Sequence, residues 1–217
     1  MAVIHRTTLK PTKLELLTGW LPTRPWYRGG PAPVLEKSGG FRLDDPAGAV
    51  GIEFLVVTDT ADPGRTAYLV PLTYRGAPLE GAGHALVGTM EHGVLGRRWV
   101  YDGCHDPVLV TESLALIEGR ARAMDQNVSD TPDHEVTRSR TGAPLGPAEC
   151  APEPADDRDG TRLPAPHGTV LEVHRVLGPV AEDPPLPPRG ALGHVATGWT
   201  GPDGSRPRGV LMTLRPA

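Results

Sequence analysis

Glycine and proline interrupt this chain so often that no long helix can run through it: 27 Gly and 25 Pro stand among 217 residues. Glycine adds to the entropy lost on ordering a helix, and proline removes a backbone donor and clashes with the preceding turn. Short strands joined by turns are therefore expected, with helices only where the punctuation pauses. Two pauses carry helix signals. Thr12-Lys-Leu-Glu15 has the spacing of a capping box, and Leu14, Leu17 and Leu21 recur at i, i+3 and i+7, which predicts a short helix ending near 19–22. In "DPVLVTESLALIEG" (106–119), Asp106 suits the N-cap, Pro107 the first helical position and Gly119 the end.

The strand signals form a meander. "VGIEFLVVTDT" (50–60) and "GRTAYLVPLTYRG" (64–76) flank a turn at Asp62-Pro-Gly64, and "HALVGTMEHGVLG" (84–96) passes through Gly93 and Gly96 into "RRWVYDG" (97–103). "RARAMDQNVSDTPDHEV" (120–136) has room for one further strand. From 138 to 166 large apolar residues almost vanish, so this Pro- and Asp-rich stretch is expected to be a disordered linker. "GTVLEVHRVLG" (168–178) then reads as a strand, and 193–215 as a hairpin turning near Pro202-Asp-Gly204. An α+β chain of three parts results: a main unit at 1–137, the linker at 138–166, and a small β unit at 167–217 that completes or flanks the main sheet.

A net charge of −4 offers no basic surface for nucleic acid. The start "MAVIHRTTLKPTKLELL" has no long apolar run, so neither a signal peptide nor a membrane anchor is expected, and a cytoplasmic location is the default. Two cysteines, Cys104 and Cys150, are too few for a disulfide framework and lack zinc spacing.

Polar chemistry concentrates in "HGVLGRRWVYDGCHDP" (92–107). His92, Cys104 and His105 are metal-ligand types, but their spacing does not match a zinc site, and no metal is expected. A nucleophilic Cys104 assisted by a histidine, with Glu91 nearby, is the catalytic alternative. A structural reading accounts for more residues. Gly93 and Gly96 close a turn, Trp99 and Tyr101 alternate onto one face, Asp102-Gly103 turns, and Asp106-Pro107 starts a helix.

Elsewhere, catalytic signatures are missing. There is no G-x-x-x-x-G-K-[ST] loop, no G-x-G-x-x-G after a strand, no G-x-S-x-G elbow and no H-E-x-x-H. "SGGFRLDDPAGAVG" (38–51) is Gly-rich without phosphate-loop spacing, and Asp44-Asp45, like Asp156-Asp157, is expected in solvated loop. The single Asn, Asn127, cannot complete a kinase catalytic loop, because no Asp stands at the required distance before it. Neither a cofactor nor an active site is expected.

Three motifs occur in order. Leu21, Pro22, Trp26, Tyr27 and Gly29 form Leu-Pro-x-x-x-Trp-aromatic-x-Gly. Tyr68, Leu69, Pro71 and Leu72 form Tyr-Leu-x-Pro-Leu. Val100, Tyr101, Asp102, Asp106 and Pro107 form a Val-Tyr-Asp…Asp-Pro turn. Together they resemble the N-terminal cap domain of actinobacterial maltokinases, over about residues 7–125; an actinobacterial source also agrees with 19 Arg against three Lys, the usage of a GC-rich genome. The resemblance implies a curved antiparallel sheet packed on a helix, a cystatin-like cap, and a setting in trehalose and α-glucan metabolism. "VLEVHR" (170–175) resembles the kinase strand that carries a phosphate-binding Lys, but Glu172 stands in its place and would repel phosphates. A 1,4-alpha-glucan branching enzyme would need a barrel of about 250 residues, which this chain cannot hold.

The expectation is a non-catalytic accessory or regulatory protein that docks on a sugar kinase or another trehalose or α-glucan enzyme. The alternative is a small carbohydrate-binding module in which Trp20, Trp26, Tyr27 and Trp199 stack on sugar rings. The residues singled out as an interaction or structural signature are Trp26, Tyr27, His92, Trp99, Tyr101, Asp102, His105 and Asp106.

Overall fold

The capping box expected at Thr12 forms. Its hydroxyl accepts from Glu15 N–H at 3.2 Å and the Glu15 carboxylate accepts from Thr12 N–H at 2.7 Å, starting helix α1 (Lys13–Trp20). The computed structural model describes residues 9–145, 153–180 and 185–217. Around α1 run strands β1 (Leu9–Lys10), β2 (Leu35–Asp44), β3 (Val50–Asp59), β4 (Ala67–Arg75), β5 (Leu86–His92) and β6 (Gly96–Asp102). Helix α2 (Pro107–Glu118) follows with the predicted ends: Asp106 accepts from Val108 N–H at 3.0 Å, and Gly119 closes the helix in the left-handed region. The chain continues through β7 (Thr137–Arg140), β8 (Ala155–Asp156), β9 (Gly160–Ala165), β10 (Thr169–His174), β11 (Val176–Leu177), β12 (Gly193–Gly198) and β13 (Arg208–Pro216). No helix among the described residues is long and apolar enough to cross a membrane.

Two antiparallel sheets result. The first is curled, in the order β1-β5-β6-β4-β3-β2, with β11 also paired to β4; the second runs β7-β12-β13-β10-β9-β8. Side chains alternate across β3 and β4, and this sorts the core into two clusters. Leu55, Val57, Tyr68, Val70 and Leu72 face α1 with Leu17, Trp20 and Trp26. Ile52, Phe54, Val56 and Leu69 face the other way, onto Leu109, Leu114 and Ile117 of α2 and onto Leu171, Val195, Met212 and Leu214 of the second sheet. The first sheet is thus the middle layer, with α1 on one face and α2 plus the second sheet on the other.

The start of the Gly-rich stretch, 38–44, lies in β2, which pairs along β3 with a register shift between Lys37 and Gly39. The expectations for the paired acids and for the linker need correction. Asp45 is not solvated: it is 7% exposed, and its carboxylate accepts from the N–H groups of Ala47, Ala49 and Val50, folding the β2–β3 turn onto itself. Of the expected linker, 146–152 lies outside the described residues, Cys150 included, but β7, β8 and β9 are strands of the second sheet. Ladder hydrogen bonds come from the backbone, so a run poor in apolar side chains can still pair once Leu163 and Thr161 point into the core. Asp156 likewise lies in β8, accepting from Thr161 Oγ1 at 2.6 Å, while Asp157 holds the exposed turn that follows.

Candidate functional site

The conspicuous stretch 92–107 does not bring its candidate residues together. His92 and Glu91 lie at the β5–β6 hairpin, where His92 pairs with Gly96, whereas Cys104 and His105 follow β6 at its far end. His92 Nδ1 accepts from Val94 and Leu95 N–H at 3.2 and 3.1 Å, which fixes the turn, and Glu91 pairs with Arg97 in solvent. Cys104 is 1% exposed, and burial pushes its thiol well above the usual range, so it is held as an unreactive thiol. His105 Nδ1 lies 3.1 Å from His84 Nε2 at the surface. Burial also lowers the His105 pKa. Among the described residues, no group of three or more His, Cys, Asp or Glu is arranged to hold a metal ion.

The aromatic candidates are packed. Trp26 is fully buried, Trp20 is 7% and Trp199 4% exposed, so none presents a ring face to a sugar. Tyr27 is half-buried, with its hydroxyl donating to Asp59 Oδ2 at 2.6 Å. Burial and then that carboxylate hold the phenol protonated. Gly29 completes the corner: a Cβ there would lie 2.2 Å from the Tyr27 hydroxyl oxygen and 2.5 Å from Asp59 Oδ2. Trp99 and Tyr101 form a small satellite cluster with Ala82 and Ala85, and Tyr101 OH accepts from Leu79 N–H at 2.9 Å.

What the fold does bring together is one residue from each of the three motifs. Trp26 and Asp102 flank a side chain that the sequence reading passed over, Arg175, between β10 and β11, and Tyr68 packs against Trp26. Its guanidinium lies 4.9 Å over the Trp26 ring, and Trp26 in turn packs 6.1 Å from Tyr68. Nη2 donates to both oxygens of Asp102 at 2.7 Å, and Nε donates to Thr161 Oγ1 at 2.7 Å. Both charged side chains are sealed, at 0% and 1% exposure. Burial is the largest influence and disfavours the cation, but the charge and hydrogen bonds of Asp102 together with Cys104 and Asp156 outweigh it in sum and keep the guanidinium charged. Asp102 also accepts from Cys104 N–H at 3.1 Å, so one carboxylate turns the chain and anchors the arginine. The Arg175 carbonyl accepts from Leu69 N–H at 2.9 Å, inside the second motif.

Asp106 repeats the device nearby. Besides capping α2, it takes Nε and Nη2 of Arg75 at 2.7 Å each, and its side chain is fully buried. The corner at 102–106 therefore uses both aspartates to hold strands and a helix in place.

Residues 20–106 match the maltokinase N-terminal cap domain. The match begins one residue before the first motif and ends at Asp106, so it takes in the first two motifs and the third as far as Asp106. No curated protein matches the chain. Arg175 and Thr161 lie outside the cap domain match, Thr161 in β9 of the second sheet and Arg175 where the chain crosses from β10 to β11, and motif residues of the matched region receive them. Glu172, which occupies the position expected of a phosphate-binding Lys, accepts from Arg215 Nε at 2.7 Å and lies 3.7 Å from Arg162 Nη2. A sequence signal for Arg175 did exist: a charged residue sits between the apolar positions of β10 and β11. Nothing local named its partner 73 residues away.

Proposed function

We propose that this chain is a non-catalytic accessory or regulatory protein that docks on a sugar kinase or another enzyme of trehalose and α-glucan metabolism, with the cap region in the cystatin-like arrangement its resemblance implies. The cap domain match supplies the metabolic setting. The observation that carries the proposal is the Arg175 socket: the motif residues that could have been chemical are spent on joining two sheets. A rigid two-sheet body with its signature groups turned inward suits a protein that presents surface to a partner. On this view the chain acts in the cytoplasm and turns over no substrate of its own.

Affinity capture with the full chain from its native cytosol tests this. A sugar kinase or α-glucan enzyme should co-purify and remain bound through high-salt washing. Absence of any carbohydrate enzyme from the captured set, or ADP formation by the purified chain given maltose and ATP, would contradict the proposal.

A further inference from the structure

A cleft of about 730 Å3 opens at the seam of the two sheets, between the edge of β2, the loop at 125–135 and the end of β12. Its volume lies within the roughly 300–1,000 Å3 typical of small-molecule pockets, which favour such junctions. We propose that it binds a small, neutral, polyhydroxylated molecule: a mono- or disaccharide.

The cleft gathers residue types that this chain otherwise scarcely uses. Its one Gln and its one Asn, Gln126 and Asn127, both line it, and so does Lys37, one of only three lysines beside 19 arginines. Gly40 makes the arrangement possible. At φ +119° it takes a conformation few other residues adopt, and a Cβ there would sit 2.0 Å from Phe54 O and 2.6 Å from Gln126 Nε2. Without that Cβ, Gln126 folds over the strand edge, 3.3 Å from Glu53 Oε1. Glu53 is itself buried and accepts from Lys13 Nζ and Tyr74 OH, each at 2.6 Å, so the inner wall of the cleft is braced.

The lining selects the ligand by elimination. Asp125, Asp133 and Glu135 would repel an anion, while Lys37 and Arg206, the latter paired to Glu135, would repel a cation. An apolar molecule would strip water from these groups without replacing its hydrogen bonds. A hydroxyl group donates and accepts at once, so a row of them can meet carboxylates with one end and ammonium or amide groups with the other. Lys37 Nζ makes a 3.4 Å contact to Asn127 Oδ1, and Asp125 uses Oδ1 to accept from the N–H groups of Asn127 and Val128. The remaining ammonium hydrogens, the Asn127 amide N–H groups and the exposed His134 ring are the contacts offered to sugar hydroxyls.

Saturation-transfer NMR on the full chain, with glucose, maltose, glucose 6-phosphate and spermidine as probes, tests the site. Transfer to glucose or maltose is expected, with affinity at least tenfold weaker in Asn127→Ala and Lys37→Met and with weaker transfer to both charged probes. No transfer to either neutral sugar, equal transfer in both variants, or preference for a charged probe would overturn the proposal. Should Lys37→Met fail to fold, Asn127→Ala, on an exposed loop, decides alone. The two proposals fail separately: sugar transfer without capture of a carbohydrate enzyme leaves this site standing, and capture without sugar transfer overturns it.

Discussion

At the residue scale, the Arg175–Asp102 pair joins segments far apart in sequence inside a sealed core. Removing one partner of a buried pair leaves the other charge without compensation, at about 3–5 kcal/mol. Arg175→Met and Asp102→Asn should each lower the urea-unfolding free energy by about that much, whereas Asp102→Leu combined with Arg175→Met should recover a large part of it, since paired apolar replacements often match a buried ion pair. Additive losses in the double variant would show that the two residues act separately. Cys104 gives a second prediction. In a Cys150→Ser background, its thiol should resist iodoacetamide at pH 8 in the native protein and react once urea unfolds the chain; rapid native labelling would contradict the burial described here. Residue-level reading of the sequence went well where partners are near in the chain, as with Thr12 and Glu15 or Asp106 and Val108. It failed for Asp45 and Arg175. An Asp in a Pro/Gly-rich stretch looks solvated until the turn folds around it, and a lone Arg between apolar neighbours gives no hint of a distant carboxylate.

At the element scale, α2 depends on its first residue. Asp106→Ala removes the N-cap, worth about 0.5–2 kcal/mol, and also takes the carboxylate away from the partly buried Arg75 fork, so the combined loss should exceed that of a cap alone. Thermal melts of Asp106→Ala beside Thr12→Ala, whose cap is exposed and carries no ion pair, check the difference. The second sheet carries a pH dependence. Burial lowers the pKa of His174 and of His194 below the ordinary 6.5. The folded state therefore stays neutral where the unfolded chain already takes up protons, so stability is fully present above about pH 6.5 and falls as pH drops through 6.5 toward the lower folded values. Urea midpoints at pH 7.5 and 5.5 should differ in that direction, and the gap should narrow in His174→Gln. Helices and meander strands were legible because caps, periodicity and turn residues lie within a few positions of each other. β2 was not, since Gly39-Gly40 and its register shift break the alternation that marks a strand. β7 to β9 were not either, because their ladders rest on backbone groups that composition does not report.

At the scale of the whole molecule, the family motifs are the inner surface of a joint. The cap domain match ends at Asp106, yet its motif residues are completed by Thr161 of the second sheet and by Arg175, at the crossing from β10 to β11, and the apolar cluster around α2 runs continuously through both sheets. Sequence resemblance therefore pointed to the curled antiparallel sheet with its helix; which partner the motif residues hold became visible only once the second sheet was in place. A body joined in this way should open as one unit. Native-state hydrogen exchange measures this directly: amides in β3 and β4 and amides in β10 and β13 should exchange through openings of equal free energy, and Arg175→Met should let the second sheet open first. Exchange of β10 and β13 at a clearly lower free energy in the unaltered protein would mean that the two sheets are separate bodies and that the Arg175 socket does not hold them together.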